Sequence, residues 1–134
     1  MYKAILFDLD GTLTESGEGI TKCVQYALEK LGKPEEDLKK LEVFIGPPLK
    51  DQFMKYAGLD EETAVKAVKY YRERYSNVGI FENKPYPGVE NMLQELKRKK
   101  YILAVASSKP EDYVKQILDH FHLTEYFDEI VGSE

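Results

Sequence analysis

The sequence predicts an α/β fold in which a parallel sheet carries a helical insert. Three short apolar runs, at residues 4–7, 101–106 and 129–131, have the length and composition of buried strands. Amphipathic helical patterns precede the second run and separate it from the third. Because strands that alternate with helices form parallel sheets through right-handed crossovers, we expect these three strands to lie side by side.

The segment between the first two strands reads as helical throughout. Glycine closes its first helical block at Gly32, and Asp60 is a plausible N-cap for its last. The four helices are expected at residues 20–31, 35–41, 49–57 and 60–75. This pattern divides the chain into a helical insert, 15–83, and a core formed by 1–14 and 84–134.

The first strand ends in an acidic motif. Asp8 and Asp10 follow the apolar run and are themselves followed by Gly11 and Thr12. Ligands of open α/β sheets bind beyond the carboxyl ends of the strands. The glycine lets the chain turn there, so that both carboxylates can converge on one metal ion or substrate atom. The alternative is structural, since Asp and Gly are ordinary turn formers and the motif could simply close a loop.

The pattern around these acids resembles the signature hhhhDxDGTxx of the haloacid dehalogenase superfamily of phosphotransferases, where h is apolar. A candidate for the second signature of that family ends the second strand, at residues 105–110. The resemblance extends over the whole chain and implies an incomplete Rossmann-like core with the helical insert as its cap. Segments 44–49 and 86–89 look closest to the phosphoglycolate-phosphatase-like branch.

The resemblance implies a role for each acid. Asp8 matches the nucleophile, which passes through an aspartyl-phosphate, and Asp10 matches the general acid and base. Mg²⁺ is the implied cofactor, held by the side chain of Asp8 and by the backbone carbonyl of Asp10. Its charge would offset the repulsion between the carboxylate and the phosphate.

The second signature would supply the phosphate contacts. Ser107 matches a hydroxyl donor to a phosphoryl oxygen, and backbone N–H groups around Ser108 would add further donors. Lys109 either reaches the same phosphate or is solvated, and Gly11 completes the phosphate-binding set. The structural alternative is that Ser108 and Glu111 form a capping box and only start a helix.

Gly46 and Pro47 correspond to the cap loop that faces the active site in this subfamily. The alternative is a stiff turn that only joins two helices and does not contact substrate directly, and we slightly favour it.

Bulk composition narrows the class of protein. A content of 43% hydrophobic and 32% charged residues is ordinary for a globular chain, and a net charge of −5 argues against nucleic-acid binding. Cys23 is the lone cysteine, which fits a reducing compartment. No signal peptide is evident and no stretch approaches the ~18 apolar residues of a membrane span. We expect a cytoplasmic protein whose partner is a small phosphorylated metabolite. We expect it to bind neither nucleic acid nor a membrane.

Two further family signatures normally follow the third strand. One is a lysine or arginine that neutralises the phosphate, and the other is an acidic pair that completes the Mg²⁺ ligands. The sequence stops at Glu134, before both, so we expect a fragment with little activity of its own. Without a fourth strand beside it, the first strand would be an open edge through which the chain could self-associate.

The expected function of the complete protein is Mg²⁺-dependent hydrolysis of a small phosphate monoester. A phosphomutase or a 5′-nucleotidase on the same framework is an alternative, as is a catalytically inactive interaction module.

Overall fold

The computed structural model describes residues 3–133. The chain divides into two compact units, one formed by Met1–Glu15 with Lys84–Glu134 and the other by Ser16–Asn83. The first unit contains the sheet and the second is helical. The α/β fold class with a parallel sheet is confirmed.

The sheet of the first unit has three parallel strands in the order β1-β4-β5. These are β1 (Ala4–Phe7), β4 (Ile102–Pro110) and β5 (Glu129–Ser133). Helix α4 (Val89–Arg98) precedes β4, and α5 (Glu111–His120) connects it to β5. The central strand is therefore longer at its carboxyl end than the apolar pattern predicts.

Burial alternates along β4 because successive side chains point to opposite faces of a strand. Leu103 and Val105 are fully buried, whereas Ile102 is 41% exposed. The helices contribute fully buried apolar residues to this unit as well, namely Leu93, Val114 and Leu118. Among the described residues β1 is an edge strand, and its Leu6 is 69% exposed.

A two-stranded antiparallel ribbon lies where the chain leaves and re-enters the first unit. It consists of β2 (Thr14–Glu15) and β3 (Lys84–Pro85), which pair Thr14 with Pro85 and Glu15 with Lys84. The sequence did not predict this ribbon, since two residues are too few to show a period. The ribbon brings both connecting segments side by side.

The helical unit contains three α-helices, α1 (Gly17–Lys30), α2 (Leu49–Tyr56) and α3 (Glu61–Tyr75). The helix expected at 35–41 is instead a 3₁₀-helix, Leu38–Phe44, and a short one spans Gly79–Phe81. Pro34 and two following acids suit a turn, and Asp37 caps the 3₁₀-helix by accepting the Lys39 N–H at 3.0 Å.

Asp60 caps α3 as predicted, because its carboxylate accepts the Thr63 N–H at 2.8 Å. Helix α1 and the 3₁₀-helix Gly79–Phe81 approach each other closely through their backbones. A Cβ added to Gly19 of α1 would lie 2.1 Å from the carbonyl oxygen of Gly79. Only glycine fits at that contact.

No helix within residues 3–133 combines the length and the apolar character that crossing a membrane requires.

Candidate active site

The loop after β1 is a tight turn centred on one carbonyl. The carbonyl oxygen of Leu9 accepts the backbone N–H groups of Thr12, Leu13 and Thr14, at 3.2, 2.9 and 3.1 Å. Gly11 has a φ of +82°, a backbone conformation that glycine adopts without strain. Its N–H donates to the Thr14 carbonyl at 2.9 Å, so this amide is engaged within the loop. The acidic motif therefore does form a turn, and a well-defined one.

The two acids of this turn lie in different environments. Asp8 is exposed at the end of β1, and its Oδ1 accepts the Leu9 N–H at 2.8 Å. Asp10 is buried, with 9% of its surface exposed. Its Oδ1 is inaccessible to solvent and has no hydrogen-bond partner among the described residues. A buried carboxylate oxygen without a partner is costly, which marks this atom as a candidate contact for a ligand.

The end of β4 bulges next to these acids. Its pairing with β5 shifts between Ala106 and Pro110, because these residues, four apart, pair with Val131 and Ser133, two apart. The segment 107–109 lies within this irregularity, and bulges of this kind re-aim side chains beside active sites. The second signature therefore lies in an irregular part of the strand.

One hydrogen bond within the bulge holds the side chain of Ser107 against the backbone. The Oγ of Ser107 accepts the Lys109 N–H at 3.1 Å. A hydroxyl that accepts through its oxygen still has its own hydrogen to donate. Ser107 can therefore offer an O–H to an incoming oxygen while its side chain is held by the backbone.

Lys109 and Asp10 form a buried ion pair. The Nζ of Lys109 lies 3.4 Å from Oδ2 of Asp10, and the two side chains are only 8% and 6% exposed. The adjacent parallel strands β1 and β4 pair up to Phe7 and Val105, so both loops leave the sheet at the same end. The structure thus brings the acidic motif and the second signature together.

The capping-box alternative for the serines does not hold. Helix α5 begins at Glu111, with Pro110 as the residue before it, so Glu111 occupies the first helical position instead of the third. Ser108 is an exposed residue within β4. The strand extends through the signature because the bulge resumes pairing at Pro110.

Gly46 and Pro47 lie in the helical unit, between the 3₁₀-helix Leu38–Phe44 and α2. Gly46 has a φ of +101°, and Pro48 precedes the first residue of α2. This geometry describes a tight interhelical turn, and a substrate-contacting role for it stays a prediction.

The donor set near the turn fits Mg²⁺. Two carboxylates and a backbone carbonyl are hard oxygen ligands, and Mg²⁺ is commonly bound through one or two carboxylates while it keeps several waters. Within residues 3–133, no group of three or more His, Cys, Asp or Glu side chains is arranged to hold a metal ion. A cation held by the Asp8 side chain and the Asp10 carbonyl stays a prediction.

Gly132 is a site-shaping residue that sequence reasoning missed. A Cβ at this position would lie 2.7 Å from the Lys109 carbonyl oxygen and 2.5 Å from the Cα of Glu111. An isolated glycine within a predicted strand is the signal that was available, because it often marks a close backbone approach. The burial of Lys109 had no such signal.

The sequence profile of the haloacid dehalogenase-like hydrolases matches residues 5–134. The chain therefore belongs to the haloacid dehalogenase-like hydrolase family. This result agrees with the resemblance of the acidic motif and with the parallel sheet that carries it.

Named relatives of this chain include a 5′-nucleotidase and phosphatases, and mycobacterial proteins named tyrosine-protein kinase PtkA, 36% identical over 129 residues, are also among them. A 5′-nucleotidase of Pseudomonas aeruginosa is 48% identical over 133 residues, which are 99% of this chain and 60% of that protein. A phosphoglycolate phosphatase of Aquifex aeolicus is 36% identical over 132 residues, 98% of this chain and 61% of that protein. The crystal structure of a protein described as a predicted phosphatase, from Clostridium acetobutylicum, superposes with a TM-score of 0.97 at 54% identity, covering 100% of this chain and 62% of the other.

The chain thus spans about three fifths of the length of these two curated relatives, the 5′-nucleotidase and the phosphoglycolate phosphatase.

Proposed function

We propose that the protein carrying this chain is a Mg²⁺-dependent phosphatase that hydrolyses a small phosphate monoester through an aspartyl-phosphate. The observation that carries the proposal is the convergence of two loops at the same end of β1 and β4. One loop offers an exposed carboxylate beside a buried one, and the other offers a hydroxyl and a lysine. Membership of a hydrolase family with phosphatase relatives supports the same reaction class.

Asp8 is the proposed nucleophile. A carboxylate that attacks phosphorus must be reachable by substrate, and Asp8 is the exposed member of the pair. Its Oδ1 is oriented by the Leu9 N–H, which fixes the side chain relative to the strand end. Covalent catalysis divides the hydrolysis of a resistant ester into two easier displacements.

Asp10 is the proposed general acid and base. It would protonate the leaving alkoxide in the first displacement and deprotonate the attacking water in the second. Its burial removes competing water, and its Oδ1 has no partner among the residues that the structure describes. That oxygen is the one we assign to the proton transfers.

Ser107 and the backbone amides of the bulge are the proposed phosphate contacts. The first turn of α5 is a poorer anion site, because Glu111 and Asp112 place two carboxyl groups there. The Gly132 N–H donates to Glu111 and holds the pKa of that carboxyl below its ordinary value, so it stays ionised. Lys109 pairs with Asp10 beside the bulge, and Gly11 contributes the turn after Asp10.

Mg²⁺ would be held by the Asp8 side chain and the Asp10 carbonyl, where its charge would lower the repulsion between carboxylate and phosphate.

A nucleoside 5′-monophosphate is a second candidate substrate beside a small organic phosphate such as phosphoglycolate. The relative named 5′-nucleotidase is 48% identical, whereas the phosphoglycolate phosphatase cited above is 36% identical. In both cases the helical unit would act as the cap, with Gly46 and Pro47 in its substrate loop. Fold alone does not choose between them, since substrate recognition resides in the site.

The test is release of inorganic phosphate by the full protein that carries this sequence, with Mg²⁺, from nucleoside monophosphates, phosphoglycolate and p-nitrophenyl phosphate. Asp8→Asn should abolish turnover of every ester, because an amide is a poor nucleophile towards phosphorus. Asp112→Asn is the matched control on an exposed residue and should retain it. No phosphate release by the wild type, or full activity of Asp8→Asn, contradicts the proposal.

A further inference from the structure

We propose that Lys109 is a positioning residue, which holds one oxygen of Asp10 in a buried ion pair and thereby fixes the direction of the other oxygen, which substrate binding must uncover for proton transfer to the leaving group. The inference rests on the proposed function and adds a residue to it. The sequence predicted that Lys109 either contacts the phosphate or is solvated. The geometry assigns it a different primary contact.

The two oxygens of Asp10 are not equivalent. Oδ2 lies 3.4 Å from the Lys109 ammonium, while Oδ1 is solvent-inaccessible and without a hydrogen-bond partner among residues 3–133. A carboxylate with one oxygen fixed can turn little about its last torsion, so the second oxygen keeps a defined direction. General acid catalysis depends on such a direction, since the proton donor must lie within hydrogen-bond reach of its acceptor.

Lys109 is itself held from the backbone. Its N–H donates to Ser107 Oγ within the bulge of β4. Its carbonyl lies against Gly132 of β5 so closely that no Cβ fits between them. The anchor of the ion pair is therefore fixed by two neighbouring segments, as a positioning residue requires.

Burial makes this contact consequential. Side chains that are 8% and 6% exposed have lost most of their hydration, so the loss of either partner leaves the other charge poorly compensated. An exposed lysine–glutamate ion pair on the same unit provides a comparison. Lys115 lies 3.2 Å from Glu111 on α5, with 52% and 40% of the two side chains exposed.

The experiment compares two esters that differ in their need for a proton. p-Nitrophenolate leaves without protonation, whereas an alkoxide leaves only with help from the general acid. In kcat/KM, which reports the first displacement, Lys109→Met should lower the value for an alkyl phosphate about thirtyfold more than that for p-nitrophenyl phosphate. The inhibition constant of inorganic phosphate should stay within about threefold of the wild type.

Two further variants complete the comparison. Lys109→Arg restores a cation beside Asp10 and should recover most of the alkyl phosphate activity. Lys115→Met removes an exposed ion pair and should leave both esters unaffected. Circular dichroism of each variant checks that the fold is retained.

Each other result is decisive. Equal losses on both esters together with a weaker inhibition constant for phosphate would show that Lys109 binds phosphate, and the positioning role would be overturned. Unchanged kinetics for Lys109→Met would also overturn it. If Lys109→Met does not fold, a folded Lys109→Arg variant that loses activity equally on both esters would overturn it instead. A wild type that hydrolyses neither ester overturns the proposed function itself, and this inference with it.

Discussion

Gly132→Ala should destabilise the first unit and displace the bulge that carries the candidate site. An alanine Cβ would lie 2.5 Å from Glu111 Cα, 2.6 Å from Glu111 N and 2.7 Å from the Lys109 carbonyl oxygen. Carbon atoms pack at about 3.5–4.0 Å, so the backbone must yield by about 1 Å. All three atoms belong to the main chain, and no flexible side chain can absorb the shift.

Overpacking of this kind costs typically about 1–3 kcal/mol, and contacts with rigid backbone place the expected loss near the upper end, about 2–3 kcal/mol. At roughly 4 °C per kcal/mol, the unfolding midpoint should fall by about 10 °C. Thermal and urea unfolding followed by circular dichroism measure both quantities. Ser133→Ala, at an exposed residue of the same strand, is the control and should change the free energy of unfolding by less than about 0.5 kcal/mol. A Gly132→Ala variant as stable as that control would refute the close approach.

Three further outcomes are expected. Gly19→Ala should destabilise the helical unit by about 3 kcal/mol or more, because its Cβ would overlap the Gly79 carbonyl at 2.1 Å, and urea unfolding measures the loss. Arg74 hydrogen-bonds Glu82 and holds the pKa of that carboxyl below its ordinary 4.5. The resulting stabilisation is present above that ordinary value and is lost as the pH falls through the lowered pKa in the folded protein. Glu82→Gln should therefore cost about 1–3 kcal/mol at neutral pH and less in acid, as unfolding at a series of pH values would show. Leu6→Lys should suppress any self-association through β1, in analytical ultracentrifugation, since charge on an edge strand blocks strand pairing.

Each of these outcomes has a counter-result. Wild-type stability for Gly19→Ala contradicts the helix contact, and a Glu82→Gln loss that is independent of pH contradicts the ion-pair account. Association that persists in Leu6→Lys would place the interface away from β1.

The acidic motif was predictable because its signal is local. Four apolar residues that end in two acids and a glycine specify a buried strand, a turn and exposed polar groups, and β1 spans Ala4–Phe7 as that pattern predicts. The parallel pairing of the strands also follows from the alternation of strands with helices. These features depend on short stretches of chain.

The features that were missed depend on contacts between distant residues. The capping-box spacing at Ser108 is a local signal, but pairing of Pro110 with Ser133 draws the segment into β4 and overrides it. The burial of Lys109 is set by Asp10, which lies on another strand end, and no pattern around the lysine reports it. The 3₁₀-helix at Leu38–Phe44 differs from an α-helix by a hydrogen-bond register that composition does not encode.

The covalent role of Asp8 can be tested directly by trapping. The full protein would be incubated with its preferred ester and Mg²⁺, quenched, and treated with borohydride, which reduces an acyl phosphate to an alcohol. Peptide mass spectrometry should find homoserine at position 8, dependent on substrate and missing from Asp8→Asn. Unmodified Asp8 in a protein that is turning over substrate, or a reduced carboxyl at any other position, would contradict the account.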